Sequence, residues 1–170
     1  RLNGSGLGYC TTCGLFLSQN HKEMYTGLLH THSSFRYVVL LLLVIVIAKS
    51  MVGLMSNKPF EKSDEKLTLW LMIATHIQLL VGLVLYFVSP AVIFGSNTMK
   101  DSVIRYWTVE HSFIMIIAIV LITLARTSTK KITQDKAKHK RVFIMSSLAL
   151  ILIVVAIIMS GRGILIPVRA

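Results

Sequence analysis

Hydrophobic residues fall in four long blocks separated by short polar connectors. An unbroken apolar run over 37–48 ends at Lys49 and extends back through 28–36 toward a full span. A second block, 67–88, carries no formal charge and stops at Ser89-Pro90. A third runs from about 104 to 125 with Glu110 and His111 inside it, and a fourth, over 142–160, is again uncharged. Each approaches the roughly 20 apolar residues that an α-helix needs to cross hydrocarbon. In that solvent a helix satisfies its own backbone hydrogen bonds, which an open strand does not. The pattern therefore predicts an all-α protein, an integral membrane four-helix bundle, with helices at about 28–52, 67–89, 104–126 and 141–160 inside a transmembrane domain spanning 24–170.

The connectors are short and polar. Residues 56–66 are charged, residues 90–103 contain Pro, Gly and Asn, and residues 126–141 are strongly basic. Residues 1–23 differ from the rest: they begin with Arg1, are rich in Gly, Ser, Thr and Asn, and lack the apolar centre of a signal peptide. They read as a non-native or disordered N-terminal extension ahead of a start at Met24. Cys10 and Cys13 lie within it as a C-x-x-C pair, a spacing found in redox and zinc sites and also by chance. Gly14 stands where a c-type haem attachment would need His.

Composition agrees with a membrane chain: 54% of the residues are hydrophobic and 15% charged, against about 25% charged in soluble domains. The formal net charge of +11 does not indicate nucleic acid, because the basic residues flank the apolar blocks. Lys49, Lys58, Lys62 and Lys66 adjoin the first connector. Arg126, Lys130, Lys131, Lys136, Lys138, Lys140 and Arg141 line the third. Fewer face the other side, among them Arg36, Lys100, Arg105, Arg162 and Arg169. Basic residues concentrate on the cytoplasmic side of membrane proteins, so both termini are expected outside the cytoplasm.

The informative chemistry is in the histidines. His30 and His32 open the first block, His76 lies about 14 Å into the second at 1.5 Å per residue, His111 lies inside the third, and His139 enters the fourth. An ionisable side chain at bilayer depth is a functional candidate by default, although a single histidine can also serve as an interhelical hydrogen-bonding group. A set with one or more on every helix is what a bundle uses to hold a cofactor. Haem b, in one or two copies, suits the set, since an apolar bundle buries the porphyrin and two neutral imidazoles ligate the iron. His30 or His32 with His111 forms one diagonal pair toward the outer face. His76 with His139 forms a weaker one, as His139 sits in a basic stretch that solvation explains. Ala118, seven residues beyond His111, leaves room for a flat ring. An Arg36–Glu110 ion pair would spare a lone carboxylate at this depth. Alternatively Arg36 or Arg105 binds haem propionates and Glu110 accepts protons from a quinol.

The segment from Met24 to Tyr37 with His30, His32 and Arg36, the Thr75-His76-Ile77-Gln78 stretch followed by Gly82 and by Tyr86 to Pro90, and Val109-Glu110-His111 together resemble a group of small bacterial four-helix membrane proteins described as cytochrome b-like. The resemblance covers about 24–160. It implies a haem-binding electron carrier of the bacterial inner membrane, with His30, His32, His76 and His111 at the matching positions and haem iron as the metal.

The expected function is thus a membrane-bound b-type cytochrome-like carrier that exchanges electrons with a quinone or respiratory-chain redox partner, without catalytic residues of its own. Two alternatives stay open: a cofactor-free structural or assembly subunit, and a metal-handling protein using the His30-x-His32 pair. The expected surroundings are the lipid bilayer and no nucleic acid, with self-association left open.

Overall fold

Four helices account for most of the chain. In the computed structural model, which describes residues 11–95 and 98–160, α1 spans Thr11–Met55, α2 Lys62–Val88, α3 Ser102–Thr129 and α4 Asp135–Met159. No strand occurs among the described residues. All four helices are long and apolar enough to cross a membrane. In sequence order they form a closed ring. α1 packs on α2 and α4, and α3 packs on α4 and, more loosely, on α2. This ring sets α1 diagonally across from α3.

The packing is inside-out relative to a soluble bundle. Outward surfaces carry Leu41, Leu80, Phe87, Phe113 and Ile158, all strongly exposed. The buried faces hold small or hydroxyl side chains, among them Ala74, Thr75, Ala118, Ala149 and Ser146, around Leu43, Val46, Leu71 and Ile122. Small residues let helix backbones approach closely where lipid supplies no hydrophobic force between helices. The hydroxyls of Thr75 and Thr123 return to their own helices, on the carbonyls of Leu71 and Ile119, as hydrocarbon demands of polar groups.

Helix ends extend past the apolar blocks because polar turns continue a helix into water. α2 starts at Lys62 instead of about 67, since the Glu61 N–H donates to Asp64 Oδ2 at 2.9 Å, one half of a capping box. Asp64 also takes an ion pair from Lys49 at 2.9 Å, tying α1 to α2. α1 ends in a Schellman turn. Asn57 takes a left-handed conformation (φ 48°), and the Lys58 N–H reaches the Gly53 carbonyl at 3.1 Å. Ser89-Pro90 stops α2, as the sequence indicates. α1 departs most from expectation. It begins at Thr11 instead of about 28, so the helix runs on through residues 11–23. The reason is that adding turns to an established helix is far easier than nucleating one, and no Pro interrupts this stretch. Residues 1–10, including Cys10, lie outside the described residues, as does the side chain of Cys13. Replacing Asp64 by Ala removes cap and ion pair together. We expect a loss of about 1–2 kcal/mol, read as a lower unfolding midpoint in detergent, with most of it retained by Lys49→Met, which spares the cap.

Candidate functional site

The bundle interior at the end opposite the basic connectors brings two imidazoles together. Along α1 the inward face follows helical spacing through His32, Val39, Leu43, Val46 and Ser50, all wholly or largely enclosed. His30 lies two residues away, about 200° around the helix at 3.6 residues per turn, and is exposed. On α3, Ala118 and Ile122 are buried on the inward stripe that His111 begins. The His32 and His111 ring centroids lie 6.5 Å apart with their planes at 70°. Of the two α1 candidates left open by the sequence, His32 is the one whose ring approaches His111. His30 and His32 face different directions, which removes the basis for a shared chelate between them.

A π-helical turn over Tyr106–Glu110 sets the position of His111. Its wider winding closes on the His111 N–H, which reaches the Tyr106 carbonyl. Such single-turn insertions cluster at functional sites. It has two consequences. Residues five apart come onto one face, so Arg105 Nε meets Glu110 Oε1 at 2.6 Å. The expected Arg36–Glu110 pair is therefore not formed: Glu110 pairs within its own helix, and Arg36 Nη2 donates to the Tyr37 hydroxyl at 3.0 Å. The turn also aims Tyr106 inward, where it is buried and donates its hydroxyl to the Ala156 carbonyl on α4. With its proton committed there, the Tyr106 oxygen, 3.4 Å from His111 Nδ1, is an acceptor for Nδ1–H. That tautomer puts the imidazole lone pair on Nε2, the arrangement in which an outer partner orients a metal-ligating histidine.

Several loop contacts hold this turn in place. The Tyr86 hydroxyl donates to the Thr108 carbonyl at 2.8 Å, and the Ile93 N–H to the Thr108 hydroxyl at 3.3 Å. Arg105 Nη1 reaches the Met99 carbonyl at 3.2 Å, and Asp101 caps α3 through the N–H groups of Val103 and Ile104. On the other side, Gln78 Nε2 donates to the His32 carbonyl at 2.9 Å. Three buried atoms near this seam lack a hydrogen-bond partner: His32 Nδ1, Arg36 Nε and Gln78 Oε1. Gly82 on α2 forms a cradle for the His32 ring, since a Cβ there would stand 2.9 Å from Cε1. The sequence reading missed Gln78 as a site residue. Its signal was a lone amide in an apolar block, one helical turn before Gly82.

The remaining histidines stand apart. His76 is exposed on α2, its Nδ1 2.7 Å from the Met72 carbonyl. His139 is buried on α4, edge-on to Phe60 at 5.0 Å, and both its ring nitrogens lack a partner. It is therefore not the solvated basic-loop residue expected: only its neighbours Lys140 and Arg141 are exposed. No ring contact or hydrogen bond joins His76 to His139 among the described residues. Nor does any group of three His, Cys, Asp or Glu side chains there suit a metal ion. No family model matches the chain, and no curated protein or solved structure matches it either.

Proposed function

We propose that the chain is a multi-pass membrane protein of the bacterial inner membrane that acts as a b-type cytochrome-like electron carrier, holding haem between α1 and α3 through His32 and His111. The observation that carries this reading is the 6.5 Å separation of the two rings across the bundle diagonal. Two imidazoles bound to opposite faces of one iron at about 2 Å each place their centroids about 6 Å apart. A porphyrin supplies four ligands itself and asks the protein for only two. A bare ion would ask for more, and no three-residue cluster offers them among the described residues. The orphaned His32 Nδ1 and the Gly82 cradle also fit a side chain poised for a partner beyond its protein neighbours.

When bound, haem would supply one-electron exchange at iron. The chain's own residues bind, orient and exclude water. Tyr106 fixes the His111 tautomer, Gln78 fastens the His32 backbone, and the Leu43, Val39 and Ile122 layer seals the site from below. Arg36, four residues from His32 on α1, is the cation available to a propionate, because Arg105 is already engaged by Glu110. The resemblance to cytochrome b-like proteins supports the same reading. A reduced-minus-oxidised absorption spectrum of purified protein, after haem-supplemented expression, should show a low-spin b-type band. Its absence favours the cofactor-free subunit.

The basic connectors support an orientation with both termini outside the cytoplasm. In a background without Cys10 and Cys13, Lys136→Cys should resist an impermeant thiol reagent in whole cells while Lys100→Cys reacts. The reverse pattern would invert the topology.

A further inference from the structure

α2 and α3 meet less closely than the other neighbours, and the gap between them opens outward as a groove of about 290 Å³. Its walls are Leu79 from α2 and Ile116, Val120 and Leu124 from α3. Two polar side chains enter it, Thr123 and His76. The Thr123 hydroxyl donates to the Ile119 carbonyl at 2.8 Å, so its proton is committed within α3. His76 is different. A carbonyl only accepts, so the 2.7 Å contact of Nδ1 with the Met72 oxygen requires the proton on Nδ1. Nε2 is then a bare acceptor, with no hydrogen-bond partner among the described residues.

Depth restricts what can reach it. At 1.5 Å per residue, His76 lies about 14 Å from Leu67 and about 18 Å from Val88, near the middle of a hydrocarbon layer about 30 Å thick. Water is scarce at that depth, and phospholipid headgroups stay at the interface. An acceptor there goes unpaired unless an uncharged, lipid-soluble molecule brings a donor to it. A flat ring bearing hydroxyl groups and an apolar tail meets those requirements, and the aliphatic walls suit its faces.

We propose that this groove is a binding site for a bilayer-soluble hydroquinone, one of whose hydroxyls donates to His76 Nε2. The site gives the quinone-class partner of the redox reading a place on the protein. It is separate from the His32–His111 pair, and binding at it does not require haem to be present.

The test uses the full chain in lipid nanodiscs with ¹⁵N-labelled histidine, titrated with an isoprenoid-tailed hydroquinone. Its dimethyl ether, which has the same ring and tail but no donor, is the control. The expected result is a saturable shift of the His76 Nε2 resonance with the hydroquinone alone. His76→Phe, a lipid-facing change that keeps bulk, should weaken binding at least tenfold. Haem absorption, measured on the same samples, should be unchanged by that substitution. Equal binding of the ether, a shift that rises without saturating, or unaltered affinity in His76→Phe would each overturn the proposal. So would a second copy of the chain covering the groove, seen as two chains per disc with no hydroquinone response. Saturable binding in protein that takes up no haem would leave this site standing and refute the cytochrome reading. A normal haem spectrum without hydroquinone binding would do the opposite.

Discussion

In haem-loaded, detergent-purified protein, His32→Ala and His111→Ala should each remove the low-spin band, while His30→Ala leaves it at full amplitude. His30 and His32 are two residues apart and chemically identical, so composition and local sequence do not separate them. Geometry does. His32 lies on the stripe that continues through Val39, Leu43 and Val46 into the core, and its ring is 6.5 Å from that of His111. His30 is exposed on another face. On the proposed haem reading, His32 and His111 would hold the group together, so losing either imidazole would leave a weaker or high-spin site, which absorption reads directly. Circular dichroism should stay helical in all three variants, because each removes one ring from a bundle held by many apolar contacts. Loss of the band in His30→Ala with its retention in His32→Ala would reverse the assignment. Tyr106→Phe offers a finer measure. It keeps the ring and deletes the oxygen placed to accept from His111 Nδ1, so the band should persist with an altered midpoint potential.

What was legible in the sequence follows from the solvent each residue meets. Four apolar blocks announce four helices because hydrocarbon leaves the backbone no alternative. Ser89-Pro90 marks the stop of α2 for an equally local reason. The limits of α1, α2 and α4 were not legible from hydropathy, which registers the lipid-facing stretch and is blind to polar turns such as the Glu61–Asp64 cap. The diagonal meeting of α1 and α3 was anticipated from the depth of their histidines. The choice between His30 and His32 depends on rotation about the helix axis, which a nearly all-apolar segment hardly encodes. The Arg105–Glu110 pair was hidden by the π turn: at 3.6 residues per turn these two side chains diverge by about 140°, and only the wider turn aligns them. His139 was misread because its neighbours Lys138, Lys140 and Arg141 suggest a solvated face, whereas its own position on α4 turns it inward.

That inward turn gives His139 the tightest packing of the described histidines, and Gly53→Ala should expose it as a loss of stability. A Cβ at position 53 would stand 2.6 Å from both ring nitrogens, closer than real contacts allow. The ring is rigid and only 2% exposed, with Phe60 on its edge, so it has little room to yield. α1 and α4 must then separate, or the ring must leave its rotamer, at a cost of about 1–3 kcal/mol for overpacking. Against this, alanine is favoured over glycine in a helix interior by about 1 kcal/mol. The net expectation is destabilisation of up to about 2 kcal/mol, measured as unfolding in mixed micelles. The sign should reverse once the ring is gone: in a His139→Ala background, the same Gly53→Ala change meets open space and should be neutral or stabilising. This coupling is what a double-mutant cycle isolates. An equal effect of Gly53→Ala in both backgrounds would mean that the glycine serves α1 by itself and does not cradle the imidazole.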